Sequence, residues 1–400
     1  MERLFIKKRM PSAFRAIISP LIEILRKGYM FGCYKLLPMQ DKRVVFSSFY
    51  GRFYSDNPKA ISEQLHLMDP SYEIVWLFID PDSKKEVVPD YVTSIKHDAM
   101  RSIRMLATSK FWIDNFNKPR YTYKGKDHVY IQTWHGDRGF KKILHDSPFY
   151  TKNYRLIETD LFDLLVTGSV FAERVCRTAF KYQGAFSQSG CPRNDRLLTK
   201  PSDLIEKTKA AIGLKTDNVL MYAPTLRREA SDNQTKQQIQ NLDLETILET
   251  LEELYQEPWV CLVRAHSGVA GLSGIRYRNK IIDVSAYEDM NELLLVTSLL
   301  ITDYSSCAGD FALLNRPIFL YQPDREEYME KDRDFYFDID SSPYMVAKNQ
   351  HEMIELILGC TPEKAAENCR QILDFYETYE TGQASERIVE YIRSFDGKRE

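Results

Sequence analysis

The sequence predicts two doubly wound α/β units in tandem, and three observations carry that prediction. Short apolar runs of strand length recur along the 400 residues, amphipathic helical stretches separate them, and a polar segment at Pro192–Asp217 divides the series into two sets. Strands alternating with helices specify parallel sheets covered on both faces. In the first set, strands are expected at Arg43–Phe49, Ile74–Ile79, Phe111–Asp114, Val129–Thr133 and Leu164–Thr167. Helices open near Asn57-Pro58 and occupy Ala99–Thr108 and Val170–Phe180. Asn57 before Pro58 reads as an N-cap with proline at the first helical position. The second set places strands at Asn218–Tyr222, Trp259–Ala265, Ile281–Val284, Leu299–Thr302 and Ile318–Tyr321. Its helices cover Leu242–Tyr255, Met290–Val296 and Ala308–Leu314, and the tail from Gln350 to Arg393 reads as helical throughout. Two Rossmann-like halves facing a cleft, residues 40–210 and 211–400, describe a GT-B-type architecture. The length suits two domains.

Residues 1–39 stand apart as a basic amphipathic segment. Arg3, Lys7, Lys8, Arg9, Arg15, Arg26, Lys27 and Lys35 face only Glu2 and Glu23, with Ile17, Ile18, Leu21, Ile22, Ile24 and Leu25 among them. These apolar runs are too short to span a bilayer, and no small-residue cleavage site follows. The pattern is that of an interfacial helix lying on an anionic membrane surface. Elsewhere the composition is ordinary, and a net charge of −3 gives no bulk attraction for nucleic acid. The seven cysteines are scattered, odd in number and without a CxxC pair. They suggest neither a zinc site nor a disulfide framework, and each reads as a small buried apolar residue.

In open α/β sheets, ligands bind at the carboxyl ends of strands, so the motifs there matter most. Gln132-Thr133-Trp134-His135-Gly136-Asp137-Arg138 follows one apolar strand, and two cations, Lys141 and Lys142, follow it in turn. An imidazole titrating near neutral pH can take a proton from an attacking hydroxyl. Tyr222-Ala223-Pro224-Thr225-Leu226-Arg227-Arg228 ends the strand opening the second half, and its hydroxyl, N–H groups and arginines could meet phosphate oxygens. Arg264 and His266, two apart at another strand end, would point to one side as a pyrophosphate clamp. Thr302-Asp303-Tyr304-Ser305-Ser306 leads from a buried strand into a helix that Ser305 or Ser306 would cap, leaving N–H groups facing the cleft. Asp310 is either a favourable helix-start carboxylate or a partner for a polyol hydroxyl. Asp338-Ile339-Asp340 spells a metal-binding pattern but lies apart from the other motifs and reads as a turn; no metal or other cofactor is expected.

The ordered set Trp-His-Gly, Pro192-Arg193-Asn194-Asp195, Tyr-Ala-Pro-Thr, Arg-x-His and Thr-Asp-Tyr-Ser-Ser resembles the CDP-glycerol glycerophosphotransferase family, over roughly Phe46 to Tyr328. That family comprises teichoic acid glycerol-phosphate primases and polymerases and their ribitol-phosphate relatives. The resemblance implies a CDP-glycerol or CDP-ribitol donor, a lipid-linked glycan acceptor, release of CMP, and peripheral attachment to the cytoplasmic face of the cell membrane. It also implies His135 and His266 as catalytic residues, His135 being the base. Trp134, Gly136, Arg193, Pro224, Thr225, Arg264, Ser305, Ser306 and Asp310 would hold the donor. Where the family often has Thr-Pro after His-Gly, this chain has Asp137-Arg138. Its size, that of one catalytic module, looks more like a one-step primase or capsule-type transferase than a long polymerase. A nucleotide-sugar glycosyltransferase and a non-catalytic scaffold of a glycan complex are the competing readings. Both motif histidines and the paired serines speak against the scaffold.

Overall fold

The computed structural model describes residues 12–148, 159–225, 227, 241–265 and 280–396. The first half is a seven-stranded sheet of β1 (Gln40–Ser47), β2 (Glu73–Phe78), β3 (Val92–Lys96), β4 (Ser109–Asp114), β5 (Val129–Gln132), β6 (Leu164–Thr167) and β7 (Ala185–Gln188). Its order is β3-β2-β1-β4-β5-β6-β7, with every pairing parallel. The second is six-stranded: β8 (Val219–Ala223), β9 (Val260–Val263), β10 (Ile281–Asp283), β11 (Leu299–Thr302), β12 (Ile318–Tyr321) and β13 (Met345–Ala347), in the order β10-β9-β8-β11-β12-β13, again parallel throughout. Alternate residues supply opposite faces: Val44 and Phe46 enter one core and Val45 the other, as Leu220 and Tyr222 do against Met221. The GT-B-type expectation holds.

All ten expected strands are present, and three more were not legible. β3, β7 and β13 are edge strands, short and half exposed, so they lack the continuous apolar run that marks a strand buried on both faces. The tail is three helices, not one: Gln350–Leu358, Pro362–Phe375 and Ala384–Arg393. Thr361 caps the second, accepting from Lys364 N at 3.3 Å with Pro362 at the first helical position. The chain then crosses back to the first half, where Val170 N donates to Glu377 O at 3.1 Å and Tyr379 N to Gly168 O at 3.1 Å. Ile388, Val389 and Ile392 of the last helix pack into the core around Val44, Phe46 and Trp76.

The helix Ser12–Leu36 turns Glu23, Arg26, Met30, Cys33 and Tyr34 toward the body, a spacing of three to four residues that keeps one face inward. Leu21, Ile24, Leu25 and Leu36 remain exposed. Among the described residues no helix is long and apolar enough to cross a membrane. The basic residues Arg3, Lys7, Lys8 and Arg9 lie outside the described residues. All seven cysteines are free and buried, as expected.

A buried ionic cluster joins the halves. Arg138, fully buried, donates from Nη2 to Asp310 Oδ1 at 2.6 Å, pairs with Glu380 Oε1 at 2.9 Å and reaches Asp137 Oδ1 at 3.2 Å. Arg193 takes the other oxygen of Asp310 at 3.0 Å and Asp56 at 3.2 Å. Asn194 donates to Asp310 at 3.0 Å and to Glu380 at 2.8 Å. Burial opposes ionisation of Asp310, but Arg193 and Arg138 outweigh it and hold its carboxyl below the usual range. Burial pushes the Glu380 carboxyl up to about 7 despite Arg138. Gly309 lets the halves meet: a Cβ there would stand 2.3 Å from Arg138 Cβ, and its carbonyl accepts from Arg138 Nε at 3.2 Å. A second bridge links Lys59 to Asp289 at 3.4 Å and Glu292 at 2.5 Å. Breaking a buried pair from one side costs about 3–5 kcal/mol, because the remaining charges stay buried. Arg138→Met is therefore expected to lower the unfolding free energy by about that amount, read as a fall in the urea midpoint; an unchanged midpoint would contradict the cluster's structural role.

Candidate active site

In both sheets the strand order reverses at the first strand, between β1 and β4 and between β8 and β11, and the loops beyond those carboxyl ends face one another. Asn115, just past β4, accepts from Phe49 N at 2.8 Å and donates to Ser48 Oγ at 3.1 Å, tying the ends of β1 and β4 together. Beyond β5 the chain turns sharply at Trp134, whose φ of 50° is left-handed. Such a conformation in a bulky residue needs support from its surroundings. Gln132 Oε1 accepts from Trp134 N at 2.9 Å, and Asn57 Nδ2 donates to Trp134 O at 3.2 Å. Asn57 is thus not a helix cap. The helix Asp56–Met68 begins two residues earlier than expected, after Ser55, and Asn57 also accepts from Arg193 N at 3.0 Å.

That turn projects His135 into the cleft. Its Nδ1 lies 2.7 Å from Asn115 O, an acceptor only, so Nδ1 carries the proton and Nε2 keeps its lone pair. Burial lowers the imidazole pKa below its ordinary value, against the pull of that hydrogen bond and of Asp56. Rings of Trp134, Phe49 and Phe116 at 4.2, 5.2 and 5.7 Å hold it in place.

From the second half, Asp303 at the end of β11 organises the loop after β8. It accepts from Thr225 N at 2.8 and 3.0 Å and pairs with Arg227 Nη1 at 2.9 Å. Arg227 also pairs with Asp324 at 2.9 Å and lies over the Tyr304 and Tyr328 rings, so it braces the loop and is committed within it. Ser306 occupies the N-cap position of Cys307–Phe311 without a side-chain capping bond, while Ser305 Oγ accepts from Cys307 N at 3.4 Å. The N–H groups of Ala308 and Gly309 turn to Ser305 O and Ser306 O at 3.4 and 3.1 Å. The expectation of free helix N–H groups in the cleft is corrected accordingly: the turn consumes them. Ser306 instead faces the first half, where a Cβ on Gly136 would stand 3.5 Å from its Oγ.

Two cavities meet at this seam. One, of about 390 Å³, is lined by Pro224, Thr225, Arg264, Ser305, Ser306 and Asp310 with His135 and Arg193 opposite. The other, of about 530 Å³, is lined by Phe116, Trp134, His135, Gly136 and Phe180, with Thr225, Ser306 and Arg333. His135, Lys141, Thr225 and Ser306 border both. Eight of the expected site residues thus line the smaller cavity together, and Trp134 and Gly136 line the larger. Asp310 gives both oxygens to Arg138, Arg193 and Asn194, which leaves it a structural anion and not a partner for a hydroxyl. Arg193 is equally committed to Asp310 and Asp56. Arg264 donates to Val284 O at 3.1 Å and Ser285 O at 2.6 Å from one nitrogen, at the cavity wall. His266, Leu226 and Arg228 lie outside the described residues. Asp338 accepts from Asp340 N at 3.1 Å and Asp340 pairs with Arg325 at 2.7 Å, which makes that pattern a turn. Asn115 was missed, and Asn57 and Gln132 were read only as a helix cap and the head of a motif, since nothing local marks a buried amide that supports a turn. Lys141 carried a signal, its place in the His-Gly motif. Burial and then Arg333 push its ammonium down to about 8.

The sequence profile of the "CDP-Glycerol:Poly(glycerophosphate) glycerophosphotransferase" family matches residues 29–394. A teichoic acid poly(glycerol phosphate) polymerase of Bacillus spizizenii is 30% identical over 96% of this chain and 99% of its own length. A teichoic acid glycerol-phosphate transferase of Staphylococcus aureus is 31% identical over 94% of this chain and 100% of its own. The Bacillus subtilis polymerase is 30% identical, and the chain spans 53% of its length. One polymerase is thus of this chain's size and another about twice as long, so size does not separate primase from polymerase. The solved wall teichoic acid polymerase TagF superposes with a TM-score of 0.79 at 28% identity, over 95% of this chain and 97% of that one. A variant of it soaked with CDPG gives 0.78 at 27% identity over 95% and 97%. The motifs, the paired sheets and these likenesses agree, and the chain belongs to the CDP-glycerol:poly(glycerophosphate) glycerophosphotransferase family.

Proposed function

We propose that the protein transfers glycerol phosphate, or a related polyol phosphate, from a CDP-activated donor to a hydroxyl of a membrane-linked glycan, in teichoic acid or related polymer synthesis. The observation that carries this reading is His135: a neutral imidazole with Nδ1 locked on Asn115 O, standing where the two cavities meet. The donor occupies the cavity at the β8/β11 switch point, with its diphosphate near Thr225, Ser305, Ser306 and Arg264. The acceptor hydroxyl gives its proton to His135 Nε2 as its oxygen bonds to the β-phosphorus. The bond from that phosphorus to the bridging oxygen breaks, and CMP leaves with the oxygen. Transfer of this kind depends on in-line alignment and charge neutralisation. Peripheral attachment to an anionic membrane is supported by the exposed Leu21, Ile24 and Leu25 on one face of the helix Ser12–Leu36 beside Lys27.

His135→Ala is expected to cut kcat by about 10²–10⁴ while leaving the donor KM nearly unchanged, as loss of a general base requires; abolished donor binding in a folded variant would refute the assignment. A lowered imidazole pKa keeps the base form to lower pH. The acid limb of kcat/KM should therefore fall below the ordinary histidine value of about 6.5, with activity lost as pH drops through it; a limb above that value would contradict the buried, neutral imidazole. Asp303→Asn loosens the Pro224-Thr225 loop, and should raise the CDP-glycerol KM by roughly tenfold or more in steady-state assays. Replacing Ile24 and Leu25 together by Glu should reduce co-sedimentation with phosphatidylglycerol vesicles; undiminished binding would remove this helix from the membrane contact.

A further inference from the structure

The larger cavity contains a charge imbalance that the reaction as described does not use. Lys141 and Arg333 both line it, one from each half of the molecule. They are brought together by a short antiparallel contact: Lys141 bridges Phe335, Lys142 N donates to Asp334 O at 2.7 Å and Tyr336 N to Phe140 O at 2.8 Å. Neither side chain has an ion-pair or hydrogen-bond partner among the described residues, whereas Lys142 beside them is paired with Asp334. Of the acids lining the cavity, Asp137 is committed to Arg138 and to Gly168 N at 2.7 Å, and Asp332, buried next to Arg333, offsets the charge of Lys141 only in part and through space. The remaining wall is largely aromatic and aliphatic: Phe116, Trp134, Val175 and Phe180. Two cations in such a setting are costly without an anion to complete them.

Resting on the transferase reading, the geometry points to Lys141 and Arg333 as an anion subsite for the acceptor: they bind the phosphodiester that lies one polyol behind the attacking hydroxyl. In-line displacement places the attacking oxygen opposite the departing CMP. With the donor at the second sheet's switch point, the acceptor enters from the larger cavity, past His135. An uncharged sugar terminus would leave both cations unanswered. A terminus already bearing a polyol phosphate answers them, and every round of transfer regenerates that terminus. The pair thus selects for extension of a phosphate-bearing chain over its initiation on bare glycan. Arg333 belongs to the acceptor side alone, and Lys141 borders both cavities.

The test compares the full-length protein with CDP-glycerol and two acceptors, a synthetic lipid-linked disaccharide with and without one terminal glycerol phosphate. The phosphate-bearing acceptor should show a KM lower by about tenfold or more. Arg333→Gln and Lys141→Gln should each erase most of that difference, with Arg333→Lys restoring part of it, and Arg333→Gln should leave the CDP-glycerol KM unchanged. Free glycerol 3-phosphate should inhibit the wild-type protein competitively against the acceptor and not against CDP-glycerol, a readout independent of any variant. Equal use of the two acceptors, or inhibition competitive with CDP-glycerol alone, would overturn the subsite and leave the transferase standing. Absence of CMP with either acceptor would overturn the transferase reading and the subsite with it.

Discussion

Arg138 lies where four separate stretches of chain converge, and the site exists only because they do. Its guanidinium meets Asp137 from its own turn, Asp310 from the second half and Glu380 from the returning tail, while Asn194 from the linker shares the last two. The backbone that carries Arg138 is the same turn that carries His135. Fixing Arg138 against Gly309 therefore fixes the distance between the imidazole and the serines of the second half. A buried cation surrounded by three carboxylates adds little to net stability over a well-packed apolar contact, and its attested use is to specify one arrangement among several. That is what a cleft built from two halves requires.

Much of the architecture is legible in the sequence because interior parallel strands must be apolar on both faces. Val44–Phe46, Leu220–Tyr222 and Leu299–Ile301 announce themselves in this way. The edges β3, β7 and β13 answer to solvent on one side and carry no such mark. The first of the tail's two breaks was visible as Thr361-Pro362, a local stop that an otherwise helical composition obscured. At the site, the residues that sit at strand ends were found by position. Their roles were not. Arg193 and Asp310 look from the sequence like ligands for phosphate and polyol, and both are consumed by each other. Only tertiary contacts more than a hundred residues apart in the chain settle whether a charge is offered or already answered.

The same distinction separates Arg227 from Lys141. Both are cations next to a strand-end motif. Arg227 is held by Asp303 and Asp324 and stacked on Tyr304, so it stiffens the donor loop. Lys141 loses proton affinity to burial and then to the neighbouring charge of Arg333. The left-handed Trp134 belongs to this picture as well: Gln132 and Asn57 hold a strained turn so that neighbouring side chains aim into the cleft from a rigid base.

The return of the tail gives the molecule two chain crossings between its halves, one through Asp195–Val219 and one through Tyr376–Ala384. They touch where Ala384 N donates to Asp195 at 2.8 Å. A single tether permits a body to swing and twist in any direction, but two adjacent tethers behave like the paired pins of a door. The halves are also joined away from these crossings, by Lys59 with Asp289 and by the contact of Lys141 with Phe335, so the seam that holds His135 is pinned on more than one side.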